Sequence, residues 1–150
     1  MPTTIWDLQA IFERSPVLLS RLIPQIAPGD TPERIVERAR VIIAQLDERE
    51  RIATLDAHPR IGDDVRALSE LSLHEQGTDR DEPTLRELEE LNEAYERKFG
   101  FRFVVFVNGR RKSAIVPVLR ERLGRTREQE LATAIEEFLA ISRDRLERAR

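Results

Sequence analysis

Residues 57–62 read Ala57-His58-Pro59-Arg60-Ile61-Gly62, and this stretch sets the course of the chain on either side of it. Proline crowds the backbone of the residue before it, so Pro59 places His58 in an extended conformation and ends the preceding helix. Gly62 permits backbone angles that a side chain disfavours, so a turn is expected here. Imidazole is the side chain whose ordinary pKa, about 6.5, lies nearest neutrality. The hexapeptide alone leaves two interpretations open: a helix-ending turn whose histidine points at water or at a carbonyl, or a histidine held on a stiff corner for chemistry.

Helical periodicity dominates the sequence around this turn. Before the turn, helices are predicted from Thr4 with Asp7, from Ser15-Pro16, from Thr31-Pro32 and over Glu48 to Asp56. After it, they are predicted from Ser72 with Glu75, from Pro83 to Gly100, over Ala114 to Leu123 and from Thr126 with Gln129. Phe101 to Val107 is strand-like, but the sequence has no second β-rich run to pair with it. We therefore predict an all-α fold, a single compact domain of about seven to eight helices with one short buried extended segment at about 101–107.

The composition restricts the function classes. With 150 residues the chain suits one domain, 1–150, and its 25 basic and 28 acidic residues nearly cancel, which argues against a nucleic-acid partner. The chain has no cysteine, which excludes disulfides and a thiolate nucleophile, and its two histidines are too few for a multi-histidine zinc site. No apolar run approaches the roughly 20 residues that span a bilayer, and the first residues lack a secretory signal. We expect a cytoplasmic protein without a membrane partner.

Two further features have both a structural and a functional interpretation. Ser72-x-x-Glu75-Gln76 matches a capping box, in which Glu75 satisfies the Ser72 backbone amide, but a helix start also suits an anionic or carbonyl-bearing ligand. Arg145 continues the apolar stripe of the last helix, four residues after Ile141. Such an arginine either extends along apolar surface to the solvent or clamps a buried anion or carbonyl with its planar guanidinium. Neither feature decides between its interpretations alone.

In combination these motifs resemble a known enzyme family. The motifs follow one another in order: Ala57 to Gly62, Ser72-x-x-Glu75-Gln76, Leu91-Asn92-x-x-Tyr95-x-x-x-Phe99-Gly100-Phe101-x-Phe103-Val104, Arg122-Leu123 and Ile141-x-x-x-Arg145-Leu146. The series is similar to that of the 2-oxo-4-hydroxy-4-carboxy-5-ureidoimidazoline (OHCU) decarboxylases, which form (S)-allantoin in urate degradation. The resemblance implies an all-helical, usually homodimeric enzyme that needs no cofactor or metal.

The resemblance also implies roles for particular residues. It assigns catalysis to His58 and Glu75. It assigns substrate binding to Pro59, Ser72, Gln76, Phe103, Val104, Val105, Phe106, Val107 and Arg145. The backbone groups of the segment from Phe103 to Val107 would then pair with a ligand and not with a sheet.

The implied substrate carries its carboxylate next to a ring C=N, which can accept the electrons that CO2 leaves behind. His58 would donate a proton to the intermediate, and Glu75 would act on the substrate hydroxyl and orient the imidazole, favouring its charged form. Arg145 and Gln76 would hold the ring carbonyls and the ureido group. Two other functions remain open: a non-catalytic helical interaction domain on the same scaffold, and a lyase or hydrolase that acts on a related ureide.

Overall fold

A computed structural model describes residues 7–149 of the chain. Its helices are α1 (Leu8–Ile11), α2 (Pro16–Leu22), α3 (Pro32–Gln45), α4 (Glu48–Asp56), α5 (Glu70–Gln76), α6 (Glu82–Phe99), α7 (Lys112–Leu123) and α8 (Arg127–Arg148). Two 3-10 turns, Ile23–Gln25 and Val65–Ala67, complete the regular structure, and this part of the chain has no strand. The predicted all-α class and helix count are confirmed. In the same range, no helix has the length and apolarity needed to cross a bilayer.

Most helix starts follow the local chemistry that the sequence predicts. The Thr31 hydroxyl accepts from the Arg34 amide at 3.2 Å, and Thr126 forms a full capping box with Gln129. Asp7 caps α1, whereas Thr4, its expected partner, lies outside the described residues. Such caps satisfy backbone amides that have no partner within the helix, each worth about 1 kcal/mol.

Two predicted boundaries are wrong. Ser69, not Ser72, caps α5, since its hydroxyl accepts from the Ser72 amide at 3.1 Å. Ser72 therefore lies inside the helix, and Glu75 is free of the capping role. Helix α7 begins at Lys112, two residues before the predicted start at Ala114.

Helix α8 forms the centre of the molecule, with α1, α3 and α4 packed against it, while α6 packs on α7. Phe138 of α8 is fully buried, and burying such a side chain contributes about 1.5–3 kcal/mol. The segment between α6 and α7 is neither helical nor paired with a strand, and most of its side chains from Phe101 to Val107 are buried. The predicted buried segment is confirmed, and it passes beside the turn that contains His58.

A buried polar triad fixes this segment to the helices. The Tyr95 hydroxyl donates to Glu130 Oε1 at 2.6 Å, and Arg122 Nε donates to the same oxygen at 2.7 Å. Arg122 Nη1 also donates to the Val104 carbonyl at 2.8 Å. Burial and the hydrogen bond to Glu130 raise the pKa of Tyr95, so its hydroxyl remains a neutral donor. The triad thereby ties α6, α7 and α8 to one point of the extended segment.

The turn after His58 depends on a glycine. Gly62 has a φ of +85°, and a Cβ atom there would lie 3.3 Å from side-chain carbons of both Leu85 and Leu88 in α6. We expect Gly62→Ala to lower the free energy of unfolding by about 1 kcal/mol or more, because it adds crowding to a strained backbone. Gly29→Ala is the matched control, with a φ of +86° and no atom within 4 Å of the added carbon. Equal urea midpoints for the two variants would show that contact with α6 does not restrict residue 62.

Candidate active site

His58 lies two residues after the end of α4, and hydrogen bonds of its backbone fix its position. Its amide donates to the Leu55 carbonyl at 3.1 Å, and Arg102 Nη1 donates to the His58 carbonyl at 2.9 Å. Only 5% of the residue is exposed. The interpretation in which this histidine points at water is therefore wrong, and its ring nitrogens donate to no carbonyl among residues 7–149.

Gln76 holds the next residues of the turn closed. Its Oε1 accepts from the Gly62 amide at 2.9 Å, and its Nε2 donates to the Arg60 carbonyl at 3.1 Å. The sequence assigned Gln76 to substrate binding, and in the structure its amide also ties α5 to the turn. One hydrogen on Nε2 is left over for a ligand, since a primary amide carries two.

The His58 imidazole has two distinct sides. Its Nε2 is buried and has no hydrogen-bond partner among residues 7–149, while its Nδ1 lies 3.9 Å from Glu13 Oε1. The ring packs edge-on against Phe138, with 5.0 Å between centroids. Burial, followed by the positive charge of Arg145, lowers the pKa of His58 to about 3, against the opposing effect of Glu13. The imidazole of the free protein is therefore neutral at neutral pH, contrary to the expected imidazolium.

Arg145 is a buried clamp. It is 3% exposed, so the interpretation in which it extends to the solvent is wrong. Its Nε and Nη2 donate to the two carboxylate oxygens of Glu75 at 2.8 and 2.7 Å, and Nη2 also donates to Glu13 at 3.0 Å. Its Nη1 donates to the Ala10 carbonyl at 2.7 Å. Because every guanidinium nitrogen donates to the protein, Arg145 acts on the site through the carboxylates that it holds.

Glu75 is the partly exposed member of this ion pair. Its side chain is 21% exposed, and each oxygen that accepts from Arg145 retains acceptor capacity for a ligand. Within the described range, the carboxylate that lies within 4.0 Å of His58 belongs to Glu13 and not to Glu75. The expectation that Glu75 orients the imidazole is therefore not met in this structure.

The extended segment presents its backbone beside this network. The Phe106 amide donates to Glu137 Oε1 at 3.0 Å, and Arg110 donates to the carbonyls of Phe106 and Val107. Among residues 7–149 the amide and carbonyl of Val105 have no hydrogen-bond partner. Val105 belongs to the segment that lines the cavity, so its backbone groups are available to a ligand there.

These residues surround one cavity. Its volume is about 140 Å³, well above the ~10–15 Å³ that one water requires on the same measure. The predicted site residues that line it are His58, Pro59, Ser72, Glu75, Gln76, Phe103, Val104, Val105, Phe106 and Val107. Arg145 is not among the residues that line the cavity; it lies behind Ser72 and Glu75 and contacts both. Sequence reasoning missed His74, Asp144 and Arg148, which also line the cavity.

The sequence also gave no indication of Glu13. Its carboxylate accepts from the Ser72 hydroxyl at 2.6 Å and the Ser69 hydroxyl at 3.1 Å, although 59 and 56 residues separate it from them. A contact between such distant residues leaves no local pattern. The local pattern indicates a turn before Ser15-Pro16, but a turn does not determine where the Glu13 side chain points.

A neutral imidazole that faces a small cavity, beside a carboxylate fixed by arginine, defines a site for proton transfer on a small polar molecule. The model of one family, described as OHCU decarboxylase, matches residues 3–147. The chain therefore belongs to the OHCU decarboxylase family, a family of carboxy-lyases.

Individual relatives agree with this assignment. The 2-oxo-4-hydroxy-4-carboxy-5-ureidoimidazoline decarboxylase of Halalkalicoccus jeotgali is 28% identical over 91% of this chain and 79% of its own length. A uric acid degradation bifunctional protein of Bacillus sp. is 28% identical over 93% of this chain, and that of Bacillus subtilis is 30% identical over the same share. This chain spans only 28% of the length of either bifunctional protein.

Two solved structures share the fold. An OHCU decarboxylase crystallised in the presence of (S)-allantoin superposes with a TM-score of 0.76, covering 95% of this chain and 96% of that one at 24% identity. An (S)-allantoin synthase gives a TM-score of 0.62, covering 93% of this chain and 46% of that one at 22% identity. At these identities the likeness establishes the helical architecture.

Proposed function

We propose that the chain decarboxylates OHCU to (S)-allantoin in urate degradation, with no cofactor. Family membership supports the reaction class, and the observation that carries the proposal is His58, which lines the cavity and whose buried Nε2 has no partner among residues 7–149. A buried polar atom without a partner is costly in a folded protein, so a ligand that satisfies it is favoured. Assay of the purified protein with freshly generated OHCU tests the proposal, and OHCU that decays at its uncatalysed rate would refute it.

The substrate supplies its own electron sink. When the bond between the carboxylate carbon and the ring breaks, its electron pair flows toward the ring C=N as CO2 departs. Because the carboxylate leaves as neutral CO2, the product takes up one proton in its place. The hydroxyl proton also moves, since this oxygen becomes a carbonyl and the neighbouring ring carbon gains hydrogen. The protein therefore has to orient one small molecule and manage two protons.

His58 is placed to move one of these protons. A neutral imidazole can accept the hydroxyl proton on Nε2 and then deliver a proton to the ring carbon from one face, which makes the product one-handed. The anionic substrate favours this sequence, because a negative charge beside the imidazole raises its pKa from the low value of the free protein. The low pKa of His58 is thus compatible with acid catalysis once an anionic substrate is bound.

The other residues bind and orient. The Glu75 carboxylate, fixed by Arg145, can accept N–H groups of the ureide, and the free hydrogen on Gln76 Nε2 can reach a carbonyl. The backbone of Val105 offers one donor and one acceptor to the ring. Arg145, assigned to substrate contact from the sequence, supports binding indirectly through Glu75.

Activity is expected to survive exhaustive chelation. The proposed electron sink belongs to the substrate, so removal of divalent metals should leave kcat unchanged. The measurement is the turnover rate before and after dialysis against EDTA, with the buffer checked for residual metal. Lost activity that one particular metal restores would contradict the cofactor-free proposal.

One further property belongs to this proposal. We infer a homodimer, as the family resemblance suggests, and light scattering on a size-exclusion column tests it. A cytoplasmic location stays an expectation from the sequence. The alternatives are a non-catalytic helical domain and a hydrolase for a related ureide. The paired carboxylate and the neutral imidazole beside a cavity favour catalysis over the first. Analysis of the products distinguishes the second alternative, because release of CO2 indicates decarboxylation and not hydrolysis.

A further inference from the structure

Glu13 belongs to none of the motifs that mark the site, yet its carboxylate lies inside it. The residue is 8% exposed, in the turn between α1 and α2. Its Oε1 accepts from Ser72 Oγ at 2.6 Å, Arg145 Nη2 at 3.0 Å and Ser69 Oγ at 3.1 Å. Burial acts to raise the pKa of Glu13, but the Ser72 hydrogen bond and the Arg145 charge outweigh it, and the pKa is lowered overall. Glu13 is therefore a buried anion held by partners from α5 and α8.

The fourth neighbour of this oxygen is the imidazole of His58. Nδ1 lies 3.9 Å away, about 1 Å beyond the length of a charge-assisted hydrogen bond. The Glu13 Oε2 atom accepts no hydrogen bond from residues 7–149, so a small rotation of the carboxylate can bring an acceptor to Nδ1. Nε2, on the other side of the ring, is buried and has no hydrogen-bond partner among residues 7–149, and His58 lines the cavity. Glu13 thus faces Nδ1, while Nε2 is left without a protein partner in this part of the chain.

The backbone holds Glu13 in this position at a cost. Glu13 and Arg14 have φ angles of 49° and 57°, in the left-handed region that residues with a Cβ rarely occupy. Two successive residues in this region persist only where the surrounding structure fixes them. Here the fixing contacts are those of the Glu13 carboxylate and the Arg145 bond to the Ala10 carbonyl at 2.7 Å.

We propose that Glu13 is the positioning residue of His58: it holds the imidazole with the proton on Nδ1, leaves Nε2 free to accept a proton, and stabilises the imidazolium that then forms. The tautomer of a histidine is set by the hydrogen bond that its other nitrogen makes. A carboxylate behind the ring supplies that bond and the compensating charge. The catalytic half of this inference rests on the proposed function, whereas the tautomer half does not.

The charges around His58 determine the sign of the effect. Glu13 faces the ring from the turn after α1, and Arg145 faces it from α8 with its charge shared between Glu13 and Glu75 of α5. His74 of α5 and Asp144 and Arg148 of α8 line the same cavity. Arg145 opposes a proton on His58 and Glu13 favours it, so neutralising Glu13 leaves the opposing charge unbalanced.

The first test needs no substrate. Long-range ¹H–¹⁵N spectra report the tautomer of each of the two histidines in the chain, and His74→Asn assigns the signals. The parent protein is expected to carry the His58 proton on Nδ1, and Glu13→Gln is expected to weaken this preference. A parent His58 with its proton on Nε2 would overturn the inference. This result stands whether or not the protein decarboxylates OHCU, so the two proposals can fail separately.

The second test is kinetic. Glu13→Gln is expected to lower kcat by about 10- to 100-fold with little change in KM, and to shift the apparent pKa of His58 in the kcat profile to lower pH. Glu70→Gln is the control, since it neutralises an exposed carboxylate in the first turn of α5 and should change neither quantity. A lower kcat with an unshifted pH profile and an unchanged tautomer would mean a structural role only and would overturn the inference. If Glu13→Gln does not fold, Glu13→Asp is measured in its place, since it keeps the charge but shortens the side chain. An unchanged kcat and an unshifted pH profile of Glu13→Asp would then count against the inference.

Discussion

Replacing His58 with asparagine is expected to lower kcat by about 10²–10⁴-fold, the usual contribution of one general acid or base. Asparagine can still donate a hydrogen bond toward Glu13 but cannot carry a proton at the position of Nε2. The protein should fold normally, because the imidazole makes no hydrogen bond through its side chain with residues 7–149. The rate of (S)-allantoin formation measures the loss, and near-parental turnover in a folded variant would remove His58 from the mechanism.

The pH dependence of the unfolding free energy tests whether the parent protein buries His58 as a neutral imidazole. The pKa of His58 is about 3 in the folded protein against 6.5 ordinarily, so the unfolded chain binds more protons between these values. Stability from this group is fully present above about pH 6.5 and is lost as the pH falls toward 3. Urea unfolding at several pH values should therefore show a shallower acid decline for His58→Asn than for the parent. Identical slopes would mean that His58 is not buried in its neutral form.

Replacing Arg145 with methionine is expected to cost about 3–5 kcal/mol of unfolding free energy and most of the activity, since removing one partner of a buried ion pair leaves an uncompensated charge. Here two carboxylates, Glu13 and Glu75, lose their partner together. Arg145→Lys keeps the charge but not the planar fork, so it should fall between the parent and the methionine variant in stability and in kcat/KM.

The matched control for this prediction lies two residues away on α8. Arg143 is half-exposed and pairs with Glu33 and Glu147 on the surface, so Arg143→Met should change stability by no more than about 0.5 kcal/mol. Urea denaturation at neutral pH compares the variants. A methionine variant of Arg145 that unfolds at the parental midpoint would show that neither carboxylate depends on the guanidinium.

Local sequence signals predicted the helices well because the interactions that start a helix lie within its first turn. Proline after Thr31 and the Thr126 and Gln129 pair place start signals within one turn of the helices that they begin. Helix α5 shows where such signals are ambiguous. Ser69 and Ser72 stand three residues apart and either can cap, and the choice is made by Glu13, which takes the Ser72 hydroxyl into a buried hydrogen bond.

The residues that line the cavity were predictable as a set, but the contacts among them were not. The ordered motifs named His58, Glu75 and the extended segment, all of which line the cavity. The sequence did not reveal that Arg145 contacts carboxylates 132 and 70 residues away, or that Glu13 lies nearest the imidazole. These contacts follow from the packing of α8 against α1 and the adjoining turn, which no periodicity in the chain specifies.

We propose above all that this chain directs the loss of CO2 from OHCU and delivers a proton to one face of the product. The most direct test is to add the protein to freshly generated OHCU and to follow the product by circular dichroism. We expect (S)-allantoin, formed faster than OHCU decays alone and at a rate proportional to protein concentration. Optically inactive allantoin that accumulates at the uncatalysed rate would contradict it, because protonation in free solution does not select a face.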